Sequence, residues 1–226
     1  MIKCIDNAVS ENELASHLKP IELYRLRDGV HGDWDHVDFP FYMGKDISTY
    51  SVENWETQWG TRVLEKSKQT TQFNHSLIIQ HRARPKGVFY NSKFGEVFHE
   101  IVKGIVQKYL PEYKHYTYDR MKLNLLMKTN TPGYSNIPHI DEPKKHISII
   151  LYLSDSDGET VFFKEREDGR LNEEFTEVAR IKPKFGRAVV SDGHFHCSSN
   201  PYESDFRLIL NTVLIHPDED TRGSNR

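Results

Sequence analysis

Between Ser92 and Leu110, apolar residues recur at spacings of three and four: Phe94, Val97, Phe98, Ile101, Val102, Ile105, Val106 and Tyr109. That period gathers them on one stripe of an α-helix. Pro111, which has no N–H to continue the hydrogen-bond ladder, stops it. The stripe needs a surface to lie against, and a sheet face is the expected one. A shorter helix is expected over Ser10–Leu18, with Ser10 as its N-cap and Glu11 and Glu13 in its first turn. Beyond Pro111 the period changes. Strand-like runs appear at Met121–Thr129, His146–Ser154, Thr160–Lys164, Phe175–Ile181, Arg187–Ser191 and Phe206–Ile215. Turn signals divide them: Thr131-Pro132-Gly133, Ser154 to Gly158, Asp168-Gly169 and Asn200-Pro201. Short strands with frequent turns predict a sandwich or barrel. Leu77-Ile78-Ile79 reads as one more strand, Arg27–Gly44 as a loop or short strands, and Val52–Glu65 fits no single period. The expected class is α+β, mainly β, in one domain. A helical and loop-rich support region covers 1–115, a β core covers 116–216, and a flexible tail covers 217–226.

Composition narrows the partners. A chain of 226 residues can bury a substantial single core. The formal net charge is -3 and no basic stripe is visible, so no nucleic-acid partner is expected. No apolar run approaches the ~20 residues of a membrane span, and the first residues contain no apolar signal core. Cys4 and Cys197 are too few for a disulfide framework or a four-cysteine zinc site. A reducing, cytoplasmic setting is therefore expected. The twelve histidines point elsewhere, toward a transition metal.

His-x-Asp steps occur at His31-Gly32-Asp33, His36-Val37-Asp38 and His139-Ile140-Asp141. Chance alone would give roughly 0.8 such steps at this composition, so the step by itself says little. Context separates them. Two histidines and one carboxylate can hold Fe(II) on one face and leave the opposite positions open. On extended backbone, residues i and i+2 point to the same side. The third ligand must then come from another strand. Only the step at His139 and Asp141 lies in the β half, with a distal histidine several strands later. His194 and His196 lie two apart, and either could be that distal ligand. The two early steps read as a polar surface loop, or as a lid over substrate.

The neighbourhood of the third step carries a longer pattern. Pro138-His139-Ile140-Asp141 is followed by Ile150-Leu151-Tyr152-Leu153-Ser154, then by Asp157-Gly158-Glu159-Thr160-Val161-Phe162-Phe163. Next come Ile181-Lys182-Pro183-Lys184-Phe185-Gly186-Arg187-Ala188-Val189-Val190, then His196-Cys197-Ser198-Ser199-Asn200-Pro201 and Arg207. In order and spacing this stretch resembles the 2-oxoglutarate/Fe(II) dioxygenase superfamily, in particular its prolyl-4-hydroxylase-like members. The resemblance covers a little under half of the chain. It implies a double-stranded β-helix (jelly-roll, cupin-like) core with supporting N-terminal helices, and His139, Asp141 and His196 as metal ligands. The residues after His196 match the family pattern, which favours it over His194. The resemblance further implies Fe(II), the co-substrate 2-oxoglutarate, O₂, and ascorbate as a reductant. Arg207 corresponds to the basic residue that grips the far carboxylate of 2-oxoglutarate. Tyr152 matches a tyrosine that assists it, and Asn124 would face the same pocket.

Departures sharpen the expectation. Asp157-Gly158-Glu159-Thr160 stands where Gly-Gly-Glu-Thr is common, and Asn130 stands where prolyl hydroxylases carry a co-substrate tyrosine. Tyr134 is the nearest substitute. Halogenating relatives lack the carboxylate that Asp141 supplies. The nucleic-acid demethylase branch has a second arginine where this chain has Val213. Hydroxylation of a C–H bond in a peptide or small-molecule substrate, such as a prolyl residue or a free amino acid, is the implied activity. The competing readings are a non-oxidative cupin-type enzyme and a catalytically silent binding module of the same fold. Specificity is expected in the loops Arg27–Gly44 and Lys66–Lys86.

Overall fold

The computed structural model describes residues 1–18, 42–43, 72–79, 88, 90–92, 94–130, 136, 138–142, 144–166 and 175–219. The early His-x-Asp steps, Val52–Glu65, Tyr134 and the end of the chain from 220 lie outside them.

The chain opens with a strand, β1 (Ile2–Ile5), and a helix, α1 (Glu11–Leu18). Ser10 caps α1 as its sequence suggests: its Oγ accepts the Glu13 N–H at 3.2 Å, and buried Leu14 anchors the first turns. Strands β2 (Tyr42–Met43) and β3 (Gln72–Ile79) follow. The long helix α2 (Gly95–Tyr109) matches the expected stripe, with Phe98, Ile101, Val102, Ile105 and Val106 buried. It begins three residues later than the expected start at Ser92, because Ser92 and Phe94 form the turn leading into it, with the Phe94 N–H donating to Ser92 Oγ at 3.3 Å. Pro111 starts a short 3₁₀ turn at its far end.

The β half contains β4 (Thr117–Met127), β5 (His146–Tyr152), β6 (Thr160–Arg166), β7 (Glu177–Ile181), β8 (Ala188–Ser191), β9 (His194–Ser198) and β10 (Phe206–Ile215). They form a seven-stranded sheet of order β1-β8-β5-β10-β4-β3-β2 and a three-stranded sheet of order β7-β6-β9. All described pairings are antiparallel. A lone bridge between His139 and His196 adds one more rung at the edge of the small sheet.

Three expectations need correction. The region 1–115 is more than helical support, since β1, β2 and β3 extend the large sheet. For the same reason the expected specificity loop Lys66–Lys86 contains strand β3. The start of the expected tail forms a 3₁₀ turn over Pro217–Glu219.

The core lies between α2 and one face of the large sheet. Leu77, Met121, Leu123, Ile147, Ile149, Leu151, Val190, Leu208, Leu210 and Leu214 meet the helix stripe there. Each such side chain contributes roughly 1.5–3 kcal/mol when fully buried. Strand β5 is buried at every position and β10 at all but its first. These strands are covered on both faces, which explains their near-continuous apolar runs. Gly186 has φ +75, and a Cβ there would collide with the Val9 carbonyl. Only glycine suits that turn, which ties the segment after β1 to the sheet.

Candidate metal and carboxylate site

Side chains alternate across the strands, so the second face of the large sheet carries a different set. Register places Tyr152 (β5), Ile209 (β10), Asn124 (β4) and Asn74 (β3) in one row. Ser148 (β5) and Arg120 (β4) both pair with Val213 of β10. Arg207 and Asn211 flank Ile209 on the same face, because they lie two residues away on either side. This face looks toward the small sheet, with Ile150, Tyr152, Phe162, Val189 and Ile209 packed between the two.

The segment carrying His139 is laid along β9 by backbone and amide bonds. Asn136 donates its backbone N–H and its Nδ2 to the Ser198 carbonyl at 2.8 and 2.9 Å, and its Nδ2 also reaches Asn200 Oδ1 at 2.8 Å. His139 and His196 then exchange both backbone hydrogen bonds at 2.9 Å, and their ring centroids lie 4.7 Å apart. Asp141 follows in a bend rather than on a strand. The expected two-apart step on extended backbone is therefore replaced by a single rung and a turn inward. His196 lies on β9, a strand absent from the runs expected from the sequence.

His139, Asp141 and His196 each offer a ligand atom, and these atoms lie within 4.8 Å of one another, the only such cluster of three among the described residues. His196 Nδ1 is 3.0 Å from the His194 carbonyl oxygen. A carbonyl can only accept, so Nδ1 is the donor in this contact, and Nε2 faces Asp141 Oδ2, 3.6 Å away. His194 behaves differently: its Nδ1 faces the Phe163 carbonyl at 2.7 Å, and its Nε2 lies near Asp192 and the Met1 amino group. Of the two histidines, His196 is the one whose ligand atom lies within 4.8 Å of those of His139 and Asp141.

The Asp141 carboxylate is 2 % exposed. Oδ1 accepts Arg120 Nη2 at 2.9 Å and Asn211 Nδ2 at 3.0 Å, and Oδ2 accepts Ser148 Oγ at 2.5 Å. Burial alone would raise its pKa. The positive charge available to His196, Arg120 and His139, with the Ser148 bond, overcomes burial and holds it well below the usual carboxylate range.

At the other end of the face sits Arg207, 2 % exposed. Its Nη2 donates to Thr160 Oγ1 at 2.7 Å, and the Tyr152 hydroxyl donates to the same oxygen at 2.7 Å. Both Thr160 lone pairs are thus used, which leaves its own proton for another acceptor. The guanidinium lies 5.7 Å from the Tyr152 ring centroid. Burial draws the Arg207 pKa down, and the same burial pushes that of Tyr152 up. No carboxylate pairs with Arg207 among the described residues, and its Nε is buried without a hydrogen-bond partner. Asn124 Oδ1 is also buried without one. A desolvated cation with no counter-ion is costly, and an anionic ligand relieves that cost. Gly158 permits the arrangement: a Cβ there would meet the Ser199 carbonyl at 2.8 Å and Arg207 Cδ at 3.1 Å.

Sequence reasoning missed Arg120, Ser148, Thr160 and Asn211. A period-two signal existed for three of them: Arg120, Ser148 and Asn211 stand four residues from Asn124, Tyr152 and Arg207, on the same strand faces. Asn130 is exposed in a bend.

No protein-family model matches the chain, and no match is found among curated proteins. Solved structures do match. A 2OG-Fe(II) oxygenase family oxidoreductase from Burkholderia pseudomallei is 14% identical, with TM-score 0.56, covering 100% of this chain and 88% of the other. A prolyl hydroxylase from Trichoplax adhaerens, solved with a hypoxia-inducible-factor peptide, is 12% identical, with TM-score 0.57 and coverage of 99% and 87%. The α-ketoglutarate-dependent epimerase SnoN of nogalamycin biosynthesis is 12% identical, with TM-score 0.53 and coverage of 95% and 77%. Together with the strand order, these likenesses establish the fold as a double-stranded β-helix.

Proposed function

We propose that this chain is an Fe(II)- and 2-oxoglutarate-dependent dioxygenase that hydroxylates a C–H bond of a prolyl residue in a peptide or of a free amino acid. The observation that carries the reading is the pairing of two features on one sheet face. A histidine–aspartate–histidine cluster lies at one end, and a buried arginine with no carboxylate partner among the described residues lies at the other. His139, His196 and Asp141 would hold the iron. Arg207 would grip the far carboxylate of 2-oxoglutarate, since a guanidinium suits a carboxylate through paired charge-assisted hydrogen bonds. Thr160 accepts from both the guanidinium and the Tyr152 hydroxyl and keeps its own proton to offer, and Asn124 adds an amide beside them. Ile209 separates Arg207 from Asn211 on β10, so apolar surface lies where the methylenes of the co-substrate would run. Phe162, with its ring 5.7 Å from His196, helps exclude water. When bound, Fe(II) with 2-oxoglutarate and O₂ supplies an oxidant strong enough to hydroxylate an unactivated C–H bond, with release of succinate and CO₂. The whole chain is read as one such catalytic unit. A non-oxidative cupin-type enzyme would have no use for the Arg207 end of the cleft.

The test begins without oxygen. Adding 2-oxoglutarate to the Fe(II)-loaded protein should produce a visible charge-transfer band, and His139→Ala should abolish it. A succinate-release screen follows, with ascorbate present, over proline-containing peptides and free amino acids. Mass spectrometry should detect the gain of one oxygen. Absence of the band in the loaded wild-type protein would refute the proposal.

A further inference from the structure

Asp141 is held more tightly than metal ligation requires. A carboxylate offers about two in-plane lone pairs on each oxygen. On Oδ1 both are used, one by Arg120 Nη2 and one by Asn211 Nδ2. On Oδ2 one is used by the Ser148 hydroxyl, and the remaining one lies on the side of His196 Nε2. Arg120 also reaches the Asp141 backbone carbonyl at 3.3 Å, so it fixes the residue and not only the carboxylate. The three holding groups sit on three adjacent strands, β4, β5 and β10, and both Arg120 and Ser148 pair with the same residue, Val213. Their relative positions are therefore set by the sheet ladder and not by flexible loops.

We propose that Arg120 and Asn211 form a clamp that limits Asp141 to one-point ligation, which keeps a coordination position open that a two-point carboxylate would occupy. The inference rests on the functional reading above, and it adds two positioning residues to that site. Two imidazoles and one carboxylate oxygen leave three positions free on a six-coordinate ion; a chelating carboxylate would leave two. A chelating co-substrate needs two positions and O₂ needs the third, so the clamp decides whether all three fit. Substitution at either residue frees one lone pair on Oδ1 and turns Asp141 toward two-point binding.

The experiment uses the full-length protein loaded with Mn(II), a six-coordinate stand-in whose bound waters can be counted by pulsed EPR in H₂O and D₂O. Wild type is expected to hold three waters on Mn(II), and one after 2-oxoglutarate is added. Arg120→Met and Asn211→Leu, made separately so that either suffices if the other fails to fold, are each expected to hold two, and none after 2-oxoglutarate. A count of three in either folded variant overturns the clamp. Failure of the wild-type protein to bind Mn(II), or binding unaffected by His139→Ala, overturns the underlying functional reading as well.

Discussion

The two faces of the large sheet are built from the same strands and have opposite characters. On β10, Leu208, Leu210 and Leu214 point to the helix, while Arg207, Ile209 and Asn211 point to the small sheet. The helix face is a hydrocarbon layer in which a polar atom is an exception. The other face holds a buried guanidinium and orphaned amide oxygens of Asn124 and Asn211, and it grips the buried carboxylate of Asp141. The comparison separates what holds the fold together from what is available for chemistry. Stability is concentrated on the apolar face, and it supports a second face whose polar groups are imperfectly satisfied among themselves.

Substitutions on the two faces should therefore diverge, and the largest effect is expected in the hydrocarbon layer. Phe98→Ala should lower unfolding free energy by about 3–5 kcal/mol in urea titrations, while the fraction still folded retains co-substrate affinity. A loss of affinity beyond the loss of fold would break the division. Arg207→Met should do the reverse. Its 2-oxoglutarate dissociation constant should rise about 100-fold, or about 2.7 kcal/mol, with unfolding free energy unchanged or higher because an uncompensated cation has gone. Calorimetry on the metal-loaded protein checks both.

A smaller effect is expected where the helix face departs from its own rule. Thr212 is fully buried there and its hydroxyl has no partner. Thr212→Val should stabilise the protein by about 1 kcal/mol, read from the urea midpoint, and destabilisation would reveal a role for that hydroxyl.

A further effect appears only at alkaline pH and concerns Cys197, behind the site on β9. Burial pushes its thiol up to about 12, whereas an unfolded cysteine titrates near about 8.5. Between those values the unfolded chain has released a proton that the folded chain keeps, so stability should fall as pH rises above about 8.5. Urea midpoints from pH 8 to 10 should decline more steeply for wild type than for Cys197→Ala. Cys4 is exposed and should alkylate in the native state, while Cys197 should not.

How much of this was legible in the sequence follows from period and reach. The long helix and most of the β-half strands carry local signals, and these survive with boundaries shifted by a few residues, as at Thr117–Met127 against an expected Met121–Thr129. Strand β9 was missed because its two histidines read as ligands, which obscured an extended run only five residues long. Strand β1 was missed because an edge strand of four residues has almost no period to detect. The cluster of His139, Asp141 and His196 could be read because the residues around it follow a longer ordered pattern. Arg120, Ser148 and Asn211 carry only the period-two signal of a shared strand face. Each is an ordinary polar residue on an apolar strand, and only strand register brings the three together.

The bridge between His139 and His196 has a further consequence. Because those residues share a main-chain rung, their imidazoles are neighbours whatever their torsions, and an arriving cation finds the pair already assembled. Capture then demands little rearrangement, so its on-rate should approach that of water loss from the ion itself. Chelators should strip such a centre while far-ultraviolet dichroism stays unchanged.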